Sequence, residues 1–460
     1  MFWPTEAQID SERQHYLTCR RAVTAHIESG VYPFKDVKLS RADIEWLLAT
    51  REDVLEPVER GGDERQGAYA GLDLRGALLQ QADLSNLPLA HMLGGRSWLV
   101  CPSLTEEQRD LASAQMERAD LGGAHLERSF LGGARMEECF LGGAHLEGAY
   151  LEGAHLEGAN LEGASLRGAH LRGAHLEGAN LEGAHLEGAN LARAHLEGAN
   201  LAGASLGGMP VPADFLKRVR HWDKHVLTPA NLQGAFFNDA TTLEDAVLGD
   251  EQFGFVSLAD VHWGGVNLSV VEWEVVTMLG DERRARQTTW LYNYQAALRA
   301  YRQLAGALRE RGLNEVALHF AYRAQVVQRR VLWRQMLQLR RQGRKGVGRL
   351  AHRVMNYLCS WLLDLLAGYG YKPLRSFIAY LFLVGAFTMI YFTQGMAYGP
   401  HLSWIQSLIL SMTAFHGRAF FPAHVEPGGA QASTCAIESF VGLIIEISLV
   451  ATFAQRFFRK

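Results

Sequence analysis

The stretch AHLEGANLEGASLRGAHLRGAHLEGANLEGAHLEGANL (residues 154–191) repeats one five-residue unit without a break. Leucine occupies every fifth position, and alanine stands two residues before each leucine. The same spacing covers residues 114–206, where methionine replaces leucine twice and Ser129 and Cys139 replace alanine. Because helices repeat every 3.6 residues and strands every 2, a period of five indicates neither. It is typical of a solenoid, in which short repeats stack on one another.

This unit resembles the pentapeptide-repeat family (Ala, Asp or Asn, Leu, X, X). The resemblance implies a right-handed quadrilateral β-helix, with four pentapeptides per coil and the Leu and Ala side chains inside. We expect this solenoid to cover residues 68–276, with inserts at about 92–111 and 209–228 where the register is lost. Thr105 and Gln108 form a capping-box signal for a short helix in the first insert. Residues 1–67 predict a helical leader that caps the solenoid, with Ser40 as a helix N-cap.

Four repeats per coil would place residues twenty apart in columns on the outer surface. One column would hold His155, His175 and His195, and it leaves three interpretations open: a metal site, a pH sensor or an exposed stack without a role. We take the last, and we expect no metal and no cofactor. A second column would hold Glu117, Glu137, Glu157, Glu177 and Glu197. This column could mimic DNA phosphates, as in gyrase-protecting proteins of the family, but intervening histidines and arginines make nucleic acid an unlikely partner.

After the solenoid the pattern becomes helical. Residues 281–352 have apolar side chains at three- and four-residue steps and predict a cytoplasmic helical hairpin. Residues 323–353 hold ten Arg or Lys and no acid, which favours a cytoplasmic location for this segment and contact with anionic membrane lipid. Residues 353–373 predict an amphipathic interfacial helix followed by a Gly- and Pro-rich turn.

The C-terminal residues 374–460 contain three apolar segments. SFIAYLFLVGAFTMIYFTQ (376–394) and SFVGLIIEISLVATFAQ (439–455) are long enough, at about 1.5 Å per residue, to cross a hydrocarbon core of roughly 30 Å. WIQSLILSMTAF (404–415) would reach only about 18 Å as a helix. The order predicts two transmembrane helices with a re-entrant pore helix between them, and therefore a two-span pore domain.

This order of elements resembles the two-helix pore module of the potassium-channel superfamily, which implies a homotetramer with four-fold symmetry around a permeant inorganic ion. The selectivity filter departs from that family, so potassium selectivity is not implied. Where the family carries a Thr-Val-Gly-Tyr-Gly run, this sequence has Thr413, Ala414, Phe415, His416, Gly417 and Arg418.

Pore-lining residues are expected on the second span, where Ser439, Glu446 and Phe453 share one helical stripe. A ring of Glu446 would concentrate cations; a protonated or Arg-paired structural acid is the alternative. Gly442 is either a gating hinge or a close-packing residue. Arg418 at the filter argues instead for anions, unless it pairs with an acid behind the loop.

We therefore expect an oligomeric, cation-conducting channel with a cytoplasmic solenoid that serves regulation or docking. It would lie in the cell membrane as a multi-pass protein with both termini cytoplasmic, because basic residues flank the spans on that side. A membrane-anchored scaffold without conduction and an anion channel are the alternatives. The sequence shows no nucleophile and base spacing, phosphate loop or metal motif, so an enzyme is not expected.

Overall fold

The computed structural model describes residues 9–26, 29–50, 71–95, 105–212, 226–341, 347–370, 373–398, 402–417 and 430–457. The chain divides into two compact units, Met1–Ala317 and Leu318–Lys460. The first holds the repeats and the second is helical, and each is described by itself.

The solenoid consists of coils of twenty residues. Parallel bridges join residues one coil apart, such as Gln115 with Arg135 and His155 with His175. Each corner is a turn in which a backbone N–H donates back three residues, as from Ala119 to the Met116 carbonyl at 2.9 Å. The third residue of the turn has positive φ, which a type II turn requires. The spacing of the coils and their four columns of bridges confirm the four-sided β-helix.

Glycine recurs at the third turn position because the backbone there has a positive φ, and not because a side chain would lack space. Gly143 has φ +64°, and an added Cβ there would meet no atom within 4 Å. Left-handed φ is readily adopted by glycine and disfavoured for other residues. The positions where Arg118 or Glu138 takes this conformation are therefore tolerated departures from the repeat, and the two side chains form an exposed ion pair across neighbouring coils at 2.8 Å.

The leucines and alanines of the repeat fill the interior, and in residues 114–206 nearly all of them are fully buried. The later block continues this core with bulkier side chains, among them Phe237 and Trp263, which stack at 5.9 Å between ring centroids. Large leucine beside small alanine in every coil gives layers that pack without a second sheet. The sequence prediction of the core is confirmed.

The two inserts leave the coil without breaking the columns. The first begins later than expected, because Leu93 still bridges to Phe130; it contains α3 (Glu106–Ala112), which has the predicted Thr105–Gln108 capping box. The second leaves and returns as a ribbon of β1 (Met209–Pro210) and β2 (Val226–Leu227). A hairpin of β3 (Gly249–Asp250) and β4 (Gly254–Phe255) was not predicted.

Both ends of the solenoid are covered within the first unit. At the N-terminal end, α1 (Ser11–Arg21) and α2 (Arg41–Ala49) flank a segment in which Lys38 bridges to Leu78 of the first coil. At the other end lie α4 (Gly280–Thr288) and α5 (Leu291–Glu310). The first helix of the predicted hairpin is thus two helices, because Thr289 adopts a left-handed conformation, φ +59°, between them.

Two side chains of this C-terminal cap connect it to the last coils. Asp281 is buried and accepts hydrogen bonds from the Leu258 backbone N–H at 2.6 Å and from Gln233 Nε2 at 2.8 Å; burial nevertheless raises the pKa of this carboxyl above its usual range. On α5, Arg299 donates two hydrogen bonds to Asp260.

α6 (Asn314–Arg341) begins at the end of the first unit and continues into the helical unit, which also contains α7 (Val347–Ala367), α8 (Pro373–Tyr398), α9 (Trp404–Phe415) and α10 (Ala430–Phe457). The predicted second helix of the hairpin corresponds to α6, while its packing on α5 stays a prediction. The predicted interfacial helix begins earlier than expected, inside the basic segment. Asp364 of α7 pairs with Arg329 of α6 at 2.7 Å, which explains a carboxylate on the mostly apolar C-terminal half of α7.

Candidate functional site

The short helix α9 packs between α8 and α10. Ser403 starts it with a capping box, in which Ser403 Oγ accepts from the Gln406 N–H and Gln406 Oε1 accepts from the Ser403 N–H. Its first residue, Trp404, lies against Phe392 of α8 with ring centroids 5.9 Å apart, and its last, Phe415, lies against Tyr380 at 4.9 Å. The helix therefore runs antiparallel to α8 and ends near the middle of α8.

The same end of α9 meets the middle of α10. Phe415 is buried with Val384 of α8 and Ile445 of α10. Gly442 lies so close to α9 that an added Cβ would overlap the Phe415 carbonyl oxygen, and Ser439 Oγ donates to the Ala414 carbonyl at 2.6 Å. Gly442 is therefore a close-packing position, and its role as a hinge stays a prediction.

A buried carboxylate connects all three helices. Glu438 of α10 is fully buried; its two oxygens accept from Tyr391 OH of α8 at 2.6 Å and from Ser411 Oγ of α9 at 2.5 Å. Sequence reasoning missed this group, because Glu438 was treated only as the boundary of a span. Three polar residues in apolar surroundings were the available signal, since such groups must find one another when water is excluded.

The residues predicted as a filter are only partly where a filter would need them. Thr413, Ala414 and Phe415 belong to the last turn of α9, and the latter two are buried because they pack on the neighbouring helices. Their role in a filter stays a prediction. His416 and Gly417, with φ +68°, follow the helix and are exposed. Arg418 lies outside the described residues.

One predicted filter residue and one predicted pore-lining residue meet. His416 Nδ1 contacts Glu446 Oε1, and their side chains remain 47% and 41% exposed. The described structure pairs Glu446 with this imidazole rather than with an arginine. Ser439 lies on the same side of α10 but is bonded to α9, and the Phe453 side chain is outside the described set.

The outer faces of α8, α9 and α10 are apolar. Large exposed side chains on α8, α9 and α10 include Phe377, Leu381, Phe382, Trp404, Ile405, Ile409, Phe440, Leu443, Ile447 and Val450. Among the residues described, one helix, Leu374–Gln394, is long and apolar enough to cross a membrane, with a mean hydropathy of 1.8. Length and composition alone are weak support, so the two-span topology stays a prediction.

A second candidate site lies on the outside of the solenoid. His155, His175 and His195 stack with ring centroids 4.8 and 5.1 Å apart, as the twenty-residue coil predicts. Each histidine has a glutamate two residues later in its own coil, at 3.2 to 3.6 Å from Nδ1. The predicted histidine and glutamate columns are therefore one mixed column.

Comparison with known proteins agrees with the repeat. The family model for pentapeptide repeats matches residues 114–153, 144–183 and 169–208, with eight copies. These residues carry pentapeptide repeats. The match does not reach the helical unit, and no curated protein sequence matches the chain.

Three solved structures are similar to this chain over the repeats. Full-length QnrB1, a plasmid-mediated fluoroquinolone resistance protein, is 16% identical over 46% of this chain and 86% of its own, with a TM-score of 0.27. Rfr23, a pentapeptide repeat protein from the cyanobacterium Cyanothece 51142, is 27% identical over 36% and 86%, with a TM-score of 0.18. HetL from Nostoc sp. strain PCC 7120, involved in heterocyst differentiation regulation, is 24% identical over 52% and 97%, with a TM-score of 0.16.

Proposed function

We propose that this chain is one subunit of an oligomeric ion channel in the cell membrane, which conducts cations and carries its pentapeptide-repeat solenoid as a cytoplasmic regulatory or docking domain. The observation behind the proposal is the position of α9. A helix of twelve mostly apolar residues, about 18 Å long, ends against the middles of two longer helices. A helix that enters a membrane from one face and turns back at mid-depth would have this arrangement.

The exposed side chains support a membrane environment. Soluble monomers rarely expose contiguous apolar patches beyond a few hundred Å², whereas α8, α9 and α10 expose large apolar side chains along their lengths. Lipid and further copies of the same chain would cover them. Because two spans cannot enclose a conduit, the proposal requires an oligomer, and the resemblance of the pore module favours a homotetramer.

The end of α9 supports cation preference. The C-terminus of a helix carries about half a negative charge, and Glu446 adds a carboxylate beside it through its contact with His416. In a symmetric oligomer this polar pair would repeat around the axis and raise the local cation concentration. The basic segment 323–353 would lie at the cytoplasmic face and contact anionic lipid.

The test is reconstitution of the purified chain in lipid bilayers, with reversal potentials measured in asymmetric KCl. Wild type is expected to conduct with a cation-selective reversal potential, and Glu446→Gln to shift that potential towards zero. The matched control is Glu310→Gln, an exposed acid on α5 outside the pore domain, which should leave the potential unchanged. If the wild type is instead anion-selective and Arg418→Gln loses that selectivity, the channel conducts anions and the proposal of cation conduction is wrong.

A membrane-anchored scaffold is the competing function. It is favoured because, among the residues that the structure describes, one helix meets the length and composition test for a span. In that case the chain would fractionate with membranes but carry no current across voltage, pH and lipid composition. The polar contacts at the end of α9 would then serve only to hold the helices together.

A further inference from the structure

The mixed column on the solenoid combines the ligands of a metal site with the repeat distance of the fold. Coils stack at about 4.8 Å, so that His155, His175 and His195 present their Nδ1 atoms along one line, each beside a glutamate oxygen. Arg135 precedes this run in the same column and Phe236 follows it. The run therefore holds three histidines, each with its own glutamate, while Glu117 and Glu137 of the glutamate column pair with Arg135.

The column contains two separate groups, and within each group the three ligand atoms lie within 4.8 Å of one another. In the first, Glu157 Oε1 is 3.2 Å from His155 Nδ1 and 4.0 Å from His175 Nδ1. In the second, His195 Nδ1 is 3.9 Å from Glu177 Oε1 and 3.6 Å from Glu197 Oε1. Ligands at about 2.0 Å from a tetrahedral ion are themselves about 3.3 Å apart. Small rotations of these side chains would bring either group to that spacing.

The carboxylates have unused coordination capacity. In the described structure, the Oε2 atoms of Glu157, Glu177 and Glu197 are shielded from solvent and have no hydrogen-bond partner. Three carboxylates in one column also repel one another, and a bound cation would remove both costs. The side chains are about one-third exposed, so an ion can reach them.

We propose that this column binds two divalent transition-metal ions of the Zn²⁺ class, one between His155, Glu157 and His175 and one between Glu177, His195 and Glu197. Imidazole nitrogen with carboxylate oxygen suits zinc rather than Mg²⁺ or Ca²⁺, which prefer oxygen alone. Each ion has three protein ligands and an open position for water. The first site, with two imidazoles, binds more tightly. The proposal is independent of conduction.

The chain offers a matched control. His185 occupies the equivalent repeat position on another face, with Glu187 at 3.6 Å, but its column neighbours are Ser165 and Ser205. It therefore has the same local pair without a second histidine. Glutamine is a suitable replacement, because Gln115 stands in the same column as the three ligating histidines.

The experiment titrates ZnCl₂ into the metal-stripped full chain, purified in detergent without a histidine tag, by isothermal titration calorimetry. Wild type and His185→Gln should bind two ions, His175→Gln and Glu177→Gln one each, and the double variant none. Zn²⁺ should raise the melting temperature of wild type and not of the double variant, and equimolar MgCl₂ should do neither. Circular dichroism confirms that each variant is folded.

Other outcomes decide against the proposal in whole or in part. Wild type that binds no Zn²⁺ overturns it, as does His185→Gln losing as many ions as His175→Gln. One ion in wild type, lost in His175→Gln and kept in Glu177→Gln, retains the first site and overturns the second. Because none of these readouts involves current, failure here leaves the proposed channel unaffected.

Discussion

The two units of this chain differ in the side chains that they expose, and the helical unit also buries polar groups between its apolar ones. In the solenoid, leucine and alanine are inside, while the columns of histidine, asparagine and glutamate are outside. In the helical unit, Phe382 is 73% exposed whereas Glu438, Ser411 and Thr388 are fully buried. The proposed membrane location of the helical unit accounts for this difference, because a surface presents whichever groups its surroundings solvate.

Backbone hydrogen bonding separates the units in the same way. The backbone of the solenoid bonds from coil to coil, and the cap adds the bond from the Leu258 N–H to Asp281 at the last coils. Helices make nearly all of their backbone hydrogen bonds within one segment, as a hydrocarbon environment requires. The helical unit therefore meets this requirement of the proposed membrane location.

The largest expected effect is a charge placed in the solenoid core. Leu161 is fully buried, so Leu161→Asp loses its apolar contacts and buries a carboxylate without a partner; we expect the free energy of unfolding to fall by about 5 kcal/mol. Thermal unfolding of the full chain, followed by circular dichroism, measures it. The control Asn160→Asp puts the same side chain one residue away, on the outer face. If both variants lowered the free energy of unfolding equally, the interior would not be filled by leucine.

The second prediction applies one exchange to exposed phenylalanines of both units. Phe382→Asp on α8 should make the free energy of membrane insertion less favourable by about 3 kcal/mol. The fraction of protein recovered with membranes measures this change. Phe140→Asp on the solenoid should change neither fractionation nor folding, since Asp120 already occupies its column in the neighbouring coil. Equal behaviour of the two variants would mean that the apolar face of α8 does not meet lipid.

The third prediction concerns the polar interior of the helical unit. Tyr391→Phe removes the 2.6 Å hydrogen bond to Glu438 and should lower the stability of the unit by about 2 kcal/mol, because a buried acceptor loses a donor. Thermal denaturation in detergent gives the loss. The exposed Tyr292→Phe on α5 is the control, and a null effect of Tyr391→Phe would show that Glu438 does not depend on this hydroxyl.

The smallest effect is on the solvated side of the solenoid cap. The Arg299 guanidinium holds the pKa of the Asp260 carboxyl below its usual range. A depressed pKa contributes stability above the unfolded-state value, about 3.9, and loses it as the pH falls through the folded-state value. With both side chains nearly half exposed, Asp260→Asn should cost about 0.5 kcal/mol at pH 7.

That cost should shrink as the pH is lowered from 7 towards 2, in urea titrations of the full chain at each pH. The exposed Asp245→Asn serves as control for the loss of one negative charge. A cost for Asp260→Asn that grows on acidification would contradict the assigned pKa direction.

Predictions from local signals in the sequence were correct, whereas contacts between distant residues were not predicted. The Thr105–Gln108 capping box lies within four residues and was predicted correctly, and so were the columns, because a fixed period converts spacing along the chain into spacing in space. The break at Thr289 was missed, since its left-handed backbone is not marked by the glycine or asparagine that usually ends a helix in this way. The Glu438 network joins residues 27 and 47 positions apart, which no local pattern indicates.

The sequence by itself determined the solenoid, its leucine and alanine interior and the stacking of histidines, because each repeat sees only its neighbours twenty residues away. It also determined that the C-terminal segments are apolar. Only the tertiary structure decided that α9 ends at the middles of α8 and α10, that His416 meets Glu446, and that Glu157 and Glu177 each lie between two histidines. These depend on side-chain positions across separate elements, which packing sets and periodicity does not.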